Sequence, residues 1–547
     1  MRPPSVRSIP ALLPRLLAFA LLGVFSFLPI LVIAYGIVFP PGEAASGGLS
    51  LFFETMGSPR IWRIIGSNAL MALAATALAA SAALPAAWFA ARTDAPLRKL
   101  FLWTAFLPLL VPSHITAYSW MQLMRVLGSP DAPLVDYFNA PFCTFVLALY
   151  YFPVLFYGAF AAFRSVDASE EQAALLFRPF RSVLFGVVFR RAFPWLLAST
   201  ALIFLLSFVE YGIPALLTVD TFVGELFVIV SSFLDINSAL AISLTLVLVV
   251  CLAGWPVFRR LPVKYFFSPS VRRESVRYSL GRWRFAASAF LLLLLSLTLF
   301  VPLAALVIRA FALSGDPTSV EPSHFAGLKF FREAITFARD DIKVSVVVAF
   351  MAAAVSVLVG LPVARALTAG TGRTPYLLYV LVAAAFVVPG TVFGTGVLQI
   401  YNRPSLDAVY SSPAIIFLAH VGRFMPLAVL LLAAGMSRAG FRGEFVARLH
   451  GVSPFRAWAD VFLPSVKFEF WLAFLAVAVF SMGELSATVL VSPAGSSTAT
   501  ASLFIMMHYG NEERVSALCL IQIAIVVVPV VVFSLLHLPE MLSRRRS

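Results

Sequence analysis

Charge is scarce in this chain. Asp, Glu, Lys and Arg make up 12% of 547 residues, where a soluble globular chain carries about 25%. With 61% hydrophobic residues and a mean hydropathy of +0.94, an ordinary water-soluble fold is excluded. Cysteine is scarcer still. Cys143, Cys251 and Cys519 stand singly in or beside apolar runs, with neither a disulfide framework nor metal-ligand spacing. The six histidines (His114, His324, His420, His450, His508 and His537) do not cluster, so they read as structural or surface residues and no metal site is expected. The sequence has no GxxxxGK[ST] phosphate-binding loop, so ATP hydrolysis by the usual route is not expected of it. No His, Asp or Ser constellation converges within the apolar runs, which weighs against a membrane-embedded enzyme.

What is present in quantity is apolar length. A run of about 20 apolar residues crosses the hydrocarbon core as a helix, and backbone groups in lipid must be satisfied internally. Twelve runs qualify: 15–37, 64–91, 100–122, 141–163, 194–217, 237–258, 285–312, 344–368, 375–400, 412–436, 467–492 and 514–538. The expected fold is an all-α polytopic bundle of about twelve transmembrane helices. The first run follows Arg2, Arg7 and Arg15 but is longer than the apolar region of a signal peptide, and is read as a retained span. With the N-terminus inside, cytoplasmic segments carry 29 Lys+Arg against 9 Asp+Glu, and outer segments 10 against 15. Positive charge prefers the cytoplasmic side, so both termini are expected inside. The net charge of +14 then reflects orientation in a lipid bilayer, and no nucleic-acid partner is expected.

The basic segment 259–284 (RRLPVKYFFSPSVRRESVRYSLGRWR) divides the chain into residues 1–258 and 285–547, each with six runs. The halves resemble each other. Pro85 pairs with Pro362 and Pro112 with Pro389, at an offset of 277; Pro153 pairs with Pro426 at 273; Ser207 and Glu210 pair with Ser481 and Glu484 at 274. Because each half has an even number of spans, the repeats should be parallel, related by an axis along the membrane normal.

Two loops between the fourth and fifth runs of each half are long and charged. The second, SRAGFRGEFVARLHGVSPFRAWADVFLP, predicts one helix over 444–450, a break at Gly451, a cap at Ser453 with Pro454 at the first helical position, and a second helix over 455–462. Its apolar stripe Phe455, Trp458 and Phe462 suits either a groove on a partner or the lipid headgroup region; residue physics leaves both open. The first, RSVDASEEQAALLFRPFRSVLFGVVFRRAFP, shares the central Pro-Phe-Arg and the proline at the next span.

The second loop resembles the EAA loop of permease subunits of bacterial ATP-binding-cassette importers: an acidic-Ala-Ala stretch, a Gly, then a Pro thirteen residues on. Ala447 and Gly451 fill the Ala and Gly places, Pro464 the Pro place, and Phe445 the acidic one, with Glu444 beside it. In the first loop Glu170, Glu171, Ala173 and Ala174 keep the pattern, Phe177 replaces the Gly, and Pro179 lies fifteen residues before Pro194. The fused halves, with EYGIPALL and GELSATVLV at the fifth spans, look like the ferric-iron importer permeases, close to those for thiamine and 2-aminoethylphosphonate. The resemblance implies the type I, MetI-like importer fold and two coupling loops. It also implies two copies of a cytoplasmic ATPase that bind the ATP, a periplasmic substrate-binding protein, and an inner-membrane location. It implies no cofactor on this chain.

Three charged residues fall well inside apolar runs: Glu210, Glu484 and Arg423. Such residues usually face a bundle interior or cavity. The repeat-equivalent glutamates are candidates for the translocation path, with Glu484 pairing Arg423 as the structural alternative. Pro112 and Pro389-Gly390 would break helical hydrogen bonding in mid-span, as a gate or as a fixed kink. A stand-alone secondary transporter of twelve spans is the competing function.

Overall fold

The computed structural model describes residues 12–39, 48–127, 139–233, 235–260, 275–311, 326–369 and 373–537. Most of the linker (261–274) and the start of the outer loop at 313–343, with His324, lie outside the described residues. The secondary structure described is helical. Its membrane-length elements are α1 (Arg15–Val38), α2 (Pro59–Arg92), α5 (Ala140–Arg164), α7 (Arg190–Phe208), α10 (Ile236–Arg260), α11 (Gly281–Ala310), α12 (Ala326–Ala369), α15 (Ala414–Ala439) and α20 (Glu512–Leu536). Three further spans are bent pairs. α3 (Arg98–Leu110) meets α4 (Ser113–Leu127) at 97°, α13 (Thr374–Val387) meets α14 (Gly390–Tyr401) at 94°, and α17 (Pro454–Ser465) meets α18 (Lys467–Met482) at 68°. The chain is therefore a multi-pass helical membrane protein with nine unbroken spans among the described residues, or up to twelve if each bent pair counts as one.

Each of the twelve sequence runs has a helical counterpart, and four of them are broken. The runs at 100–122 and 375–400 are right-angled elements rather than kinked rods, because Pro112 and Pro389 lack the N–H that would carry the ladder across. The run at 467–492 stops as a helix at Met482, where Gly483 and the polar Glu484 interrupt it. The fifth run likewise breaks between Phe208 and the short α8 (Gly212–Leu216). Segments read as outer loops carry helices of their own, α9 (Phe222–Phe233) and α19 (Ala499–Tyr509), and α12 extends eighteen residues before the expected start of its span.

The packing has two centres. In the first half α5 lies against α2 and α7; in the second, α15 lies against α12 and α18. α2 packs through small residues: Ala72, Ala75, Ala79, Ala83, Ala86 and Ala87 are buried, while Leu70, Leu73 and Leu78 on its other face are exposed where lipid would lie. Small side chains let helices approach closely where no hydrophobic drive separates them from lipid. Within its own half α1 lies against α10, with Gly36 beside Leu240, but most of its packing is with the other half. It lies along α12, α14 and α15, while α11 lies against α2, α3, α4 and α20. The two halves are thereby interlocked. Uncommon π turns occur at Gly23–Phe27 and Ser296–Phe300 in α1 and α11, and at Leu184–Phe189 and Ala457–Phe462 within the charged loops. Both pairs are 273 residues apart.

Candidate coupling loops and gate

The second charged loop forms α16 (Arg442–Leu449) and then α17. α16 closes with Val452 N–H donating to Ala447 O (3.1 Å) and Gly451 N–H to Arg448 O (3.1 Å). Gly451 has φ +83°, a left-handed conformation that terminates helices and that glycine adopts without penalty. Ser453 caps α17, its hydroxyl accepting from Arg456 N–H, with Pro454 following. The expected apolar stripe is split: Phe462 is buried against Phe441, Trp458 is half-buried, and Phe455 points outward. Ala447 is half-buried; Gly451, Pro454 and Pro464 are exposed.

In the first loop α6 (Ala168–Leu175) is capped by the Asp167 carboxylate. It ends without a left-handed residue, since Phe177 N–H and Arg178 N–H both turn back to Ala174 O. Ala173 and Pro179 are exposed and Ala174 is half-buried. Glu170 forms an exposed pair with Arg191 (2.7 Å).

The glutamates at the heart of each loop face inward. Glu171 pairs with Arg92 at 2.6 Å, both side chains fully shielded. Arg92 also donates to Phe163 O (2.8 Å), and the Tyr278 hydroxyl donates to the other Glu171 oxygen. Glu444 pairs with Arg365 at 2.6 Å, and Arg365 lies over the Phe441 and Phe462 rings. In both loops the arginine precedes its glutamate by 79 residues, at the end of α2 or α12. These carboxylates hold each loop to its span. Among the exposed side chains are four large apolar ones: Leu176 (80% exposed), Phe177 (86%), Leu449 (69%) and Phe455 (73%). Neither arginine was singled out in the sequence, although Arg92 and Arg365 share the repeat offset of Glu171 and Glu444.

The linker takes part in the first loop. Tyr278 N–H donates to Arg92 O (2.7 Å), its ring stacks on Trp88, and Phe180 meets it edge-on. Asp94 accepts from Leu280 N–H (2.9 Å) and from the Ser279 hydroxyl (3.1 Å). These contacts, the Leu280 N–H first, hold its carboxyl below the ordinary carboxylate range.

The buried charges meet where the broken spans meet. Glu210 lies in the step between α7 and α8. Its Oε1 accepts from the Ser113 hydroxyl (2.6 Å) and Gly212 N–H (3.1 Å), its Oε2 from the Tyr151 hydroxyl (2.5 Å). Ser113 is the first residue of α4, directly after Pro112. Glu484 lies in the step after α18. Its Oε2 accepts from Arg423 Nε (2.7 Å) and its Oε1 from Ala487 N–H (2.9 Å); Arg423 also donates to Val388 O, beside Pro389. A Cβ on Gly390 would stand 2.5 Å from Glu484 Oε1, and one on Gly483 would stand 3.2 Å from Pro112 Cγ. All six residues singled out in the spans thus gather at the junction of the halves. The equivalence of the glutamates is incomplete: Glu484 has a cation and Glu210 has hydroxyls. Sequence reading missed His420, whose ring nitrogens bridge Ser481 (2.7 Å) and Thr488 (2.8 Å) and tie α15 to the same step. One helical turn separates it from Arg423.

A bundle of broken and unbroken spans joined by charged loops is an architecture that a solute permease can use. Comparison with known proteins agrees with this, although no family model matches the chain. It is 27% identical over 243 residues to the putative 2-aminoethylphosphonate transport system permease protein PhnV of Salmonella paratyphi A, covering 44% of this chain and 90% of that protein. It is 22% identical over 492 residues to the Fe(3+)-transport system permease protein FbpB 2 of Haemophilus influenzae, covering 87% of this chain and 90% of that protein. The resemblance to permeases of ATP-binding-cassette importers read from the loops therefore holds.

Proposed function

We propose that this chain is the membrane subunit of an ATP-driven importer of the inner membrane, built as two parallel six-span repeats (1–258 and 285–547) joined by the linker 259–284. The paired π turns, the paired right-angled elements and the two arginine–glutamate locks at equal spacing support the repeat. One relative matches less than half of this chain along nearly its whole length, and another matches most of it, which also supports a fused pair. In this reading a periplasmic binding protein delivers a small solute, ferric iron or a related compound. Two copies of a separate ATPase bind and hydrolyse the ATP, and this chain performs no covalent chemistry. Glu210, Glu484 and Arg423 line the path, with hinges at Pro112 and Pro389-Gly390.

The observation that carries the coupling role is the pair of loops in which Glu171 and Glu444 are locked inward while Leu176, Phe177, Leu449 and Phe455 stand exposed. Apolar side chains grouped on such short loops mark a binding surface. The test is co-purification with a candidate ATPase, wild type against Gly451→Asp and Phe455→Asp, followed by ATPase activity in liposomes. Wild type should retain the ATPase and both variants should lose it, Phe455→Asp while keeping its thermal stability. If the wild-type chain purifies alone and no ATPase alters its behaviour, a stand-alone transporter is the better reading.

A further inference from the structure

α4 carries more unfulfilled hydrogen-bonding capacity than any comparable stretch of the described residues. His114 and Gln122 are fully buried, and both ring nitrogens of the one and both amide atoms of the other lack a partner. The Tyr118 hydroxyl donates to Glu512 O (3.5 Å) and lies within reach of Gln122 and Ser516, but the geometry leaves Gln122 and the Ser516 hydroxyl short of a full hydrogen bond. His114, Tyr118 and Gln122 are spaced four apart and form one line along the helix. Ser516 faces that line from α20. The line begins beside Glu210, whose Ser113 contact adjoins His114. It ends at Arg125, which forms an ion pair with Glu512, itself paired with Arg309. From His114 to Arg125 the rise is about 16 Å, half of a hydrocarbon core.

The counterpart in the second half is built differently. On α14 one side-chain atom, the Thr391 hydroxyl, is unpartnered among the described residues. The helix is otherwise closed by contact: Gly394 lies against Leu490, and Gly396 against the backbone of Pro29 in α1. A Cβ added to Gly396 would find no room, and one on Gly394 would be tight. One broken span is sealed by glycine packing, and the other buries a polar line without satisfying it.

A buried polar group without a partner is unfavourable, and such groups are normally paired or hydrated. An interface that gathers several of them is stabilised when water enters. We propose that the seam between α4 and α20, lined by His114, Tyr118, Gln122 and Ser516, opens to the outer face and hydrates. It would form the outer leg of the route for a small hydrophilic solute, and do so in the first half alone. This rests on the chain being a membrane-spanning permease, but not on which ATPase it couples to.

The test is thiol accessibility from outside. Single cysteines replace Gln122, Ser516, Thr116 and Leu127 in a chain whose three native cysteines are changed to alanine. Intact cells are treated with a membrane-impermeant methanethiosulfonate reagent. Thr116 is buried on the opposite face of α4 and Leu127 is 70% exposed at its end. Gln122→Cys and Ser516→Cys should react at least tenfold faster than Thr116→Cys. If both react as slowly as Thr116→Cys while Leu127→Cys labels readily, the seam stays shut and the proposal fails. Ser516→Cys changes one atom, so it remains informative if the Gln122 variant does not fold. Loss of ATPase co-purification would overturn the coupling role and leave this result standing.

Discussion

Changing Glu171 to Gln removes the charge from one side of a pair that water does not reach, while keeping the shape of the side chain. The remaining Arg92 guanidinium keeps Phe163 O as an acceptor, and the new amide oxygen can still accept from Tyr278. Removing one partner of a buried pair costs about 3–5 kcal/mol, and the surviving acceptors place this case near about 3 kcal/mol. The same change at Glu444 should cost about 1–2 kcal/mol, because Arg365 is 32% exposed and a solvated partner loses less. At Glu170, paired with a 64% exposed Arg191, it should cost at most about 1 kcal/mol. Unfolding midpoints of the three variants in detergent should fall in that order. A double-mutant cycle with Arg92→Met should return most of the Glu171→Gln loss as coupling energy. If Glu171→Gln unfolds with Glu170→Gln, the inward lock is not what holds the first loop.

Gly390→Ala forces a Cβ to within 2.5 Å of Glu484 Oε1 and 2.8 Å of Ser486 Cβ. It should cost about 1–3 kcal/mol as overpacking, read as a lower unfolding midpoint than for Gly57→Ala, where nothing lies within 4 Å. Gly451→Ala meets no neighbour but must hold φ +83°. It should cost about 1–2 kcal/mol from the backbone alone, and Gly451→Asn less, in the same assay. Asp94 has a depressed carboxyl in the folded chain, so its contribution is complete above the unfolded value near about 4 and is lost as pH falls through the folded value. Protection of the Leu280 amide against hydrogen exchange should therefore weaken in acid, and Asp94→Asn should show weak protection at every pH.

The bundle was legible because lipid imposes a coarse rule. A run of some 20 apolar residues has one way to satisfy its backbone, so the runs at 64–91, 141–163 and 412–436 became helices with ends close to those expected. The expectation of an internal repeat came from proline, which acts on the local backbone and so leaves its mark at fixed positions. The second loop was legible for a similar reason: Gly451, Ser453 and Pro454 act through their own dihedrals and caps. Its stripe was misread because helical spacing says which residues share a face and not what that face meets. Phe462 turned to its own spans and Phe455 to solvent.

The sequence by itself determined what depends on neighbours along the chain: the spans, their breaks at Pro112 and Pro389, and the caps. The tertiary structure decided which charges meet. Arg92 and Glu171 are 79 residues apart, as are Arg365 and Glu444. Arg423 finds Glu484 across 61 residues, while Glu210, its equal in the repeat, finds Ser113 and Tyr151. Buried electrostatics falls off over a few ångströms, so partners are chosen by how spans cross. Two halves alike in sequence pattern can therefore close their junctions with different chemistry.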